Sequence, residues 1–501
     1  MNTINRTNYN TNETLWENSA EQSLDLEINL PEYCGDITKI LQCFAFPHIH
    51  SCSQSAENLQ IEGEVLVRVL YVSEGEIFSY EQAQAFSKKM ECRDSTIGAV
   101  ADLSTYVQYI NSRATGSRKI EVHGAFVIVA KLSACKESSV IESIEEADVQ
   151  MDKDSLSACS ARGSAAATVN VAQVIDIGTD KAPMKSIIRN TAVAEIVETK
   201  QVAGKILIKG ELKVKTLYKS EENTVESIEN VLALSQIMDI DGMDENSTVD
   251  IKLQLSSLDV FIKPSALGNM SLLDLQAAVN IYVCAYNCID FPVLKDVYST
   301  EYACNCTFKE VCVDKILSTL SKNYLHSFTV DSLGDIAKVI DVWCEDIRAK
   351  ACEQEQQLVI TGTLCAYVLY ENLDGVIQLK SAESEFSFTE PLGEVSKVKC
   401  SPEAVLSGCD YVIRENGVEV RADIHVKAMI FDCISQKVID DITMEETPLL
   451  RNNSLFIFYA HSGERLWNIA SKFKTTVTAI QKENKIEKEV LEEDKPLLIW
   501  G

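Results

Sequence analysis

The 501-residue sequence predicts a mainly β protein: three tandem β-rich repeat domains, each opened by a short leading helix, then a small unit of order β-α-α-β. Three observations carry this. One eleven-residue pattern recurs three times; each occurrence alternates apolar and polar residues with period two; and near residue 454 the period becomes that of a helix.

The recurring pattern is Ile61 to Tyr71, Ile208 to Tyr218 and Ile360 to Tyr370. Each has a Gly two residues after the Ile (Gly63, Gly210, Gly362) and ends in Leu-Tyr (Tyr71, Tyr218, Tyr370). Ile61, Gly63, Val65, Val67, Val69 and Tyr71 fall on one side of an extended chain, the mark of a strand with one buried face. A Gly within such a strand signals a bulge or a close approach of another backbone. Upstream, Gly35-Asp-Ile-Thr-Lys-Ile-Leu41 matches Gly334-Asp-Ile-Ala-Lys-Val-Ile340, both 28 residues before the landmark Gly; the second copy has Ala182 to Ile188 there. These segments read as the leading helical turns, with Asp36 and Asp335 as candidate caps. Downstream, Val122 to Ile128, Leu275 to Ile281 and Val420 to Val426 each form a further alternating strand.

The spacing gives a domain plan: a disordered segment at 1–23, repeats at 24–136, 168–314 and 326–450, and the last unit at 454–501. Residues 137–167, acidic and then Ser/Ala-rich, read as a linker, and 315–325 as a connecting helix. In the last unit Leu466, Ile469, Ala470 and Phe473 share one helix face. Val477 and Ile480 mark a second helix ending near Asn484, and Pro496 to Trp500 is a closing strand.

At this point two resemblances emerge. Tyr459-Ala-His-Ser-Gly463-Glu464-Arg465-Leu466-Trp467-Asn-Ile469-Ala470, with Val477 and Asn484, resembles a LysM domain. The repeats resemble the SPOCS domain, and three of them before a C-terminal LysM is the arrangement of the SipL family of clostridial spore coat proteins. The resemblance implies a scaffold without catalysis or cofactor, in the mother-cell cytoplasm at the forespore surface. It implies that the LysM domain binds a coat morphogenetic ATPase, SpoIVA-like. Most glycan-binding LysM domains read Gly-Asp-Thr where this chain has Gly463-Glu464-Arg465, and they usually carry a Pro-Gly turn before the last strand, where it has Glu493-Asp-Lys-Pro496 with no Gly. Gly463, Glu464, Arg465, Leu466, Trp467 and Asn484 are the expected partner-binding set, since Arg and Trp are favoured interface anchors. Trp467 alternatively packs only on its own helix. Peptidoglycan, bound through the same domain, is the alternative ligand.

Composition bounds the partners. The net charge is −29, while residues 454–501 hold seven Lys/Arg and seven Asp/Glu, so the excess lies in the first 453 residues. Such a body repels phosphate backbones, which sets nucleic acid aside. No run of about 18 apolar residues occurs, so membrane insertion is not expected. Met1 to Glu21 is Asn/Thr-rich without a basic-then-apolar order, so a cytoplasmic chain whose 17 cysteines are free thiols is expected. His48, His50 and Cys52 would share one strand face, but the other repeats lack equivalents and no fourth ligand is evident, so no metal is expected. Cys304, Cys306 and Cys312, near Cys284 and Cys288, lack paired Cys-x-x-Cys knuckles and read as small strand residues. Glu145-Glu146 and Glu445-Glu446 have no companion nucleophile and read as solvated surface.

Overall fold

A computed structural model describes the chain except residues 1–3, 56, 93–98, 147, 179–180, 203, 416, 450–453 and 501. It is mainly β, and one six-strand pattern recurs along it. The first occurrence comprises β1 (Ile4–Asn29), β2 (Lys39–Gln54), β3 (Asn58–Ser73), β4 (Glu76–Glu91), β5 (Val100–Gly116) and β6 (Lys119–Ile144). The second comprises β7 (Val149–Asp176), β8 (Met184–Val202), β9 (Lys205–Ser220), β10 (Val225–Asp239), β11 (Thr248–Lys263) and β12 (Leu272–Ser299). The third comprises β13 (Tyr302–Asp331), β14 (Ile336–Gln354), β15 (Gln357–Asn372), β16 (Ile377–Pro391), the broken pair β17 (Val398–Cys400) and β18 (Glu403–Arg414), and β19 (Gly417–Pro448). In each unit strands two to four form one antiparallel sheet, and the sixth strand pairs with the first and fifth in another. The two sheets of a unit enclose its own core.

The landmark residues have physical roles in this frame. A Cβ on Gly63, Gly210 or Gly362 would lie 2.1, 2.5 or 2.0 Å from a carbonyl oxygen of the preceding strand, that of His48, Glu195 or Arg348. That strand bulges beside each of them, between Ile49 and Ser51, Ile196 and Glu198, or Glu345 and Arg348. The Leu-Tyr pair that follows points to opposite faces, as strand geometry requires. Tyr71 and Tyr370 pack in the cores of their own units, and Tyr218 in a small cluster beside that of the second. Leu70, Leu217 and Leu369 meet in a separate cluster shared by all three units, with Phe44, Ile188, Trp343 and Tyr367.

The leading helices are not there. Among the described residues the only α-helices lie after residue 465. Residues 37–41 run extended into β2, with Ile37 N–H donating to Ser117 O and Thr38 N–H to Val72 O. The apolar pair that suggested a helix does the work of a strand. Ile40 and Val339 pack on their own units' cores, while Leu41, Ile188 and Ile340 turn to the shared cluster. Asp36 pairs with Arg118 at 2.6 Å instead of capping.

Three further expectations are corrected together. The segment read as disordered lies largely in β1, the linker 137–167 forms the end of β6 and the start of β7, and residues 315–325 lie inside β13. Residues 317–325 lie in the inner half of β13, where β19 also pairs with β18, whereas 4–14, 137–144 and 149–160 lie in the outer halves of their units' first and last strands. The first and last strands of each unit continue past a bulge (Thr14/Trp16, Ala285/Tyr286, Ile316/Ser318) as two-stranded ribbons. The three ribbons pack on one another through Tyr9, Val140, Leu156, Ala158, Phe291, Val293, Val311, Val313 and Val438. Small residues let the ribbons approach closely: Ala158, Cys159 and Ser160 are all buried.

Not every cysteine is a free thiol. Cys159 and Cys288, opposite each other on β7 and β12, form a disulfide with Cα atoms 4.0 Å apart. Cys304, Cys306 and Cys312 lie along β13, the last of them exposed. The bulge between Ile49 and Ser51 interrupts the alternation that would align His48, His50 and Cys52. Among the described residues no group of three or more His, Cys, Asp or Glu is placed to hold a metal ion, and no helix is long and apolar enough to cross a membrane.

Candidate functional site

The last unit is β20 (Leu455–Ala460), α1 (Leu466–Phe473), α2 (Val477–Asn484) and β21 (Lys495–Trp500). Leu466, Ile469 and Ala470 turn inward from α1 to meet Ile480, Leu491, Leu497 and Ile499 in a compact core. Thr476 caps α2 by accepting from Ala479 N–H at 3.1 Å. Asn484 ties the unit shut: its side chain donates to Leu498 O at 2.8 Å and accepts from Leu498 N–H at 2.7 Å. Leu466 and Asn484, both in the expected partner-binding set, are thus used inside the unit.

The loop before α1 is bonded to the loop before β21. Gly463 N–H donates to Leu491 O at 2.7 Å, Leu491 N–H to Glu464 O at 3.0 Å and Leu466 N–H to Glu489 O at 2.7 Å. Gly463 holds φ +89°, where a side chain would be strained. Backbone groups on both loops therefore already have partners within the unit.

Arg465 and Trp467 point out of the unit and onto the ribbon. Arg465 makes a two-pronged pair with Asp152 at 3.0 and 3.1 Å, and Trp467 Nε1–H donates to Asp296 at 2.8 Å. Asp152 and Asp296 sit directly opposite each other on β7 and β12. Two carboxylates so placed repel each other, and the guanidinium and indole N–H between them offset that repulsion. Tyr298 completes the contact: its ring meets Trp467 edge-on at 4.9 Å and its hydroxyl donates to Thr475 O at 2.8 Å. Burial, and then the Asp296 carboxylate, push this phenol up to about 12. Hydrogen bonding to Asp152 likewise raises the Arg465 guanidinium above its ordinary value. Asp152, Asp296 and Tyr298 carried no local sequence signal, since their role exists only once the chain folds back.

One face of the unit stays open. β20 and β21 pair antiparallel, with Leu455 opposite Trp500, Ile457 opposite Leu498 and Tyr459 opposite Pro496. Phe456 and Phe458 pack on Phe473 of α1, so the alternate residues face away from the helices. Leu455, Ile457, Tyr459, Leu498 and Trp500 are 48, 63, 73, 38 and 55% exposed. Apolar side chains gathered on one face in this way mark an interaction surface. Their alternation was visible in the sequence, but read there only as strand.

Residues 36–115 and 183–263 match the SPOCS domain of SipL, and residues 461–500 match the LysM domain. The chain thus carries two SPOCS domains and a LysM domain. Each SPOCS match spans strands two to five of its unit and leaves out the first and last strands that make the ribbons. No curated protein and no solved structure matches the chain.

The contact between LysM domain and ribbon gives a first expected result. The double substitution Asp152→Ala, Asp296→Ala should loosen it, raising deuterium uptake in peptides covering 148–154 and 294–300 and in α1. Unchanged uptake in all three would show that these side chains do not hold the domain in place.

Proposed function

We propose that this protein is a non-catalytic adaptor of endospore coat assembly, working in the mother-cell cytoplasm at the forespore surface, whose LysM domain binds a SpoIVA-like coat morphogenetic ATPase. The third unit is a further SPOCS copy, and the copies follow the three six-strand units, 4–144, 149–299 and 302–448. The single observation that carries the partner-binding reading is the open apolar face of β20 and β21 on a domain of zero net charge, joined to a strongly acidic body. An apolar face on such a domain can meet a partner with less like-charge repulsion than the body would impose. The expected loop set of Gly463, Glu464, Arg465 and Trp467 is a second contact surface, open to the partner once the domain lifts from Asp152 and Asp296.

The test is capture of the purified ATPase by the full chain. Ile457→Asp with Trp500→Asp should cut retention at least tenfold. Arg465→Ala with Trp467→Ala should cut it only if the loop is part of the contact. Full retention by both pairs would remove the LysM domain as the binding site.

Peptidoglycan is the second reading, favoured by the LysM match. The mutual bonding of the two loops weighs against it. Pelleting of the full chain with insoluble peptidoglycan, unaffected by the Ile457 and Trp500 substitutions, would favour glycan over protein.

A further inference from the structure

The third unit departs from the other two at one pair of touching positions. Cys344 on β14 lies opposite Ala366 of β15, four residues past the landmark Gly. The same register places Ala45 opposite Val67 in the first unit and Ala192 opposite Val214 in the second. Cys409 on β18 lies opposite Ala422, where the other units have Ile110 opposite Gly124 and Leu258 opposite Ala277. The pair is therefore Ala with Ile in the first unit, Ala with Leu in the second and Cys with Cys in the third. In all three it lies between the two sheets of the unit, at its core.

In the third unit the two sulfurs are 3.8 Å apart. Cys344 is buried, and Cys409 is partly open to solvent. The two residues lie on strands of different sheets, 65 positions apart in the chain, so a bond between them would lace the sandwich across its core.

We propose that Cys344 and Cys409 are a redox-modified pair, closed to a disulfide by hydrogen peroxide and reopened by a dithiol reductant. Cys409 reacts first, being the more accessible. Its thiolate attacks one peroxide oxygen, the O–O bond breaks, a sulfenic acid forms, and the departing hydroxide takes up the thiol's proton as water. Cys344 sulfur then attacks Cys409 Sγ, the S–O bond breaks, and the second water leaves with the Cys344 proton. Two thiols lose two electrons and one peroxide gains them. The contact with Cys344, and the nearby Lys215 ammonium, hold the Cys409 thiol below its ordinary value, which favours this order.

The test uses the full chain, reduced and then treated with equimolar hydrogen peroxide. Peptide mapping without reductant should show Cys344 joined to Cys409 in most molecules, reversed by dithiothreitol. The other units supply the control: Cys344→Ala with Cys409→Leu copies the second unit's pair, should fold normally, and should lose that cross-link alone. In the Cys344→Ala single variant, the Cys409 sulfenic acid has no partner and should be trapped by dimedone several-fold more than in the unaltered chain. Both thiols still alkylatable after peroxide, or equal dimedone trapping in the two chains, would overturn the proposal.

Discussion

Replacing Asp341 with Ala is expected to destabilise the protein by about 3–5 kcal/mol, the cost of leaving a buried cation without its partner. Asp341 is buried where the three units meet, accepting from Arg189 and lying 3.3 Å from Lys215 Nζ. Arg189 is equally buried, its guanidinium 4.3 Å from the Trp343 ring centroid, so its charge is shut away from water. The strand register makes the pair informative. Gln42, Arg189 and Asp341 are one position seen three times, opposite Leu70, Leu217 and Leu369. The units share an apolar centre, but their charges differ, so the second and third recognise each other and not copies of themselves. Asp341→Asn should cost less than the Ala change, because it keeps the shape and a hydrogen-bond acceptor. The midpoint of urea unfolding measures both, and a shift of under about 1 kcal/mol for the Ala change would show that Lys215 and Arg189 find other partners.

A comparable loss is expected at the third landmark glycine. Gly362→Ala would place its Cβ 2.0 Å from Arg348 O and 2.3 Å from the edge of the Phe386 ring. The ring can turn away; the carbonyl belongs to a bulged strand paired along its length with β15 and cannot move without disturbing that register. The expected cost is about 3 kcal/mol, at the upper end for overpacking. Adding Phe386→Leu, which copies Leu234 beside Gly210, should recover only part of it, because the carbonyl clash remains. Full recovery in urea unfolding would locate the strain in the ring and not in the backbone.

What was legible in the sequence follows the range of the interactions. The landmark strands were visible because alternation is local, and the LysM helices because Leu466, Ile469 and Ala470 recur at helical spacing. The first strand of each unit was not. Residues 4–23 are polar because the ribbon they build leaves much of their surface in water, and the partner that makes them a strand lies far along the chain, as Ile4 opposite Ile144 shows. The Ser/Ala-rich stretch read as linker is small because ribbons press together there, so close packing looked like the absence of a core. The same distance hid the site. Arg465 and Trp467 stood out in the sequence as contact residues for a partner, but nothing near them foretold their bonds to Asp152 and Asp296 of the same chain.

The long pairing of first strand with last also constrains how the protein is made. Asn29 pairs with Lys119 and Ile4 with Ile144, so when a ribosome has delivered β1 the strand that completes it does not yet exist. At about 5–20 residues per second, that edge waits several seconds without its mate. The polar Asn, Thr and Glu residues of β1 suit such a wait, since an exposed edge of that composition resists pairing with other nascent chains. Each unit can close only when its sixth strand emerges, so synthesis runs as three successive closures, with the LysM domain arriving last to settle on a ribbon already formed.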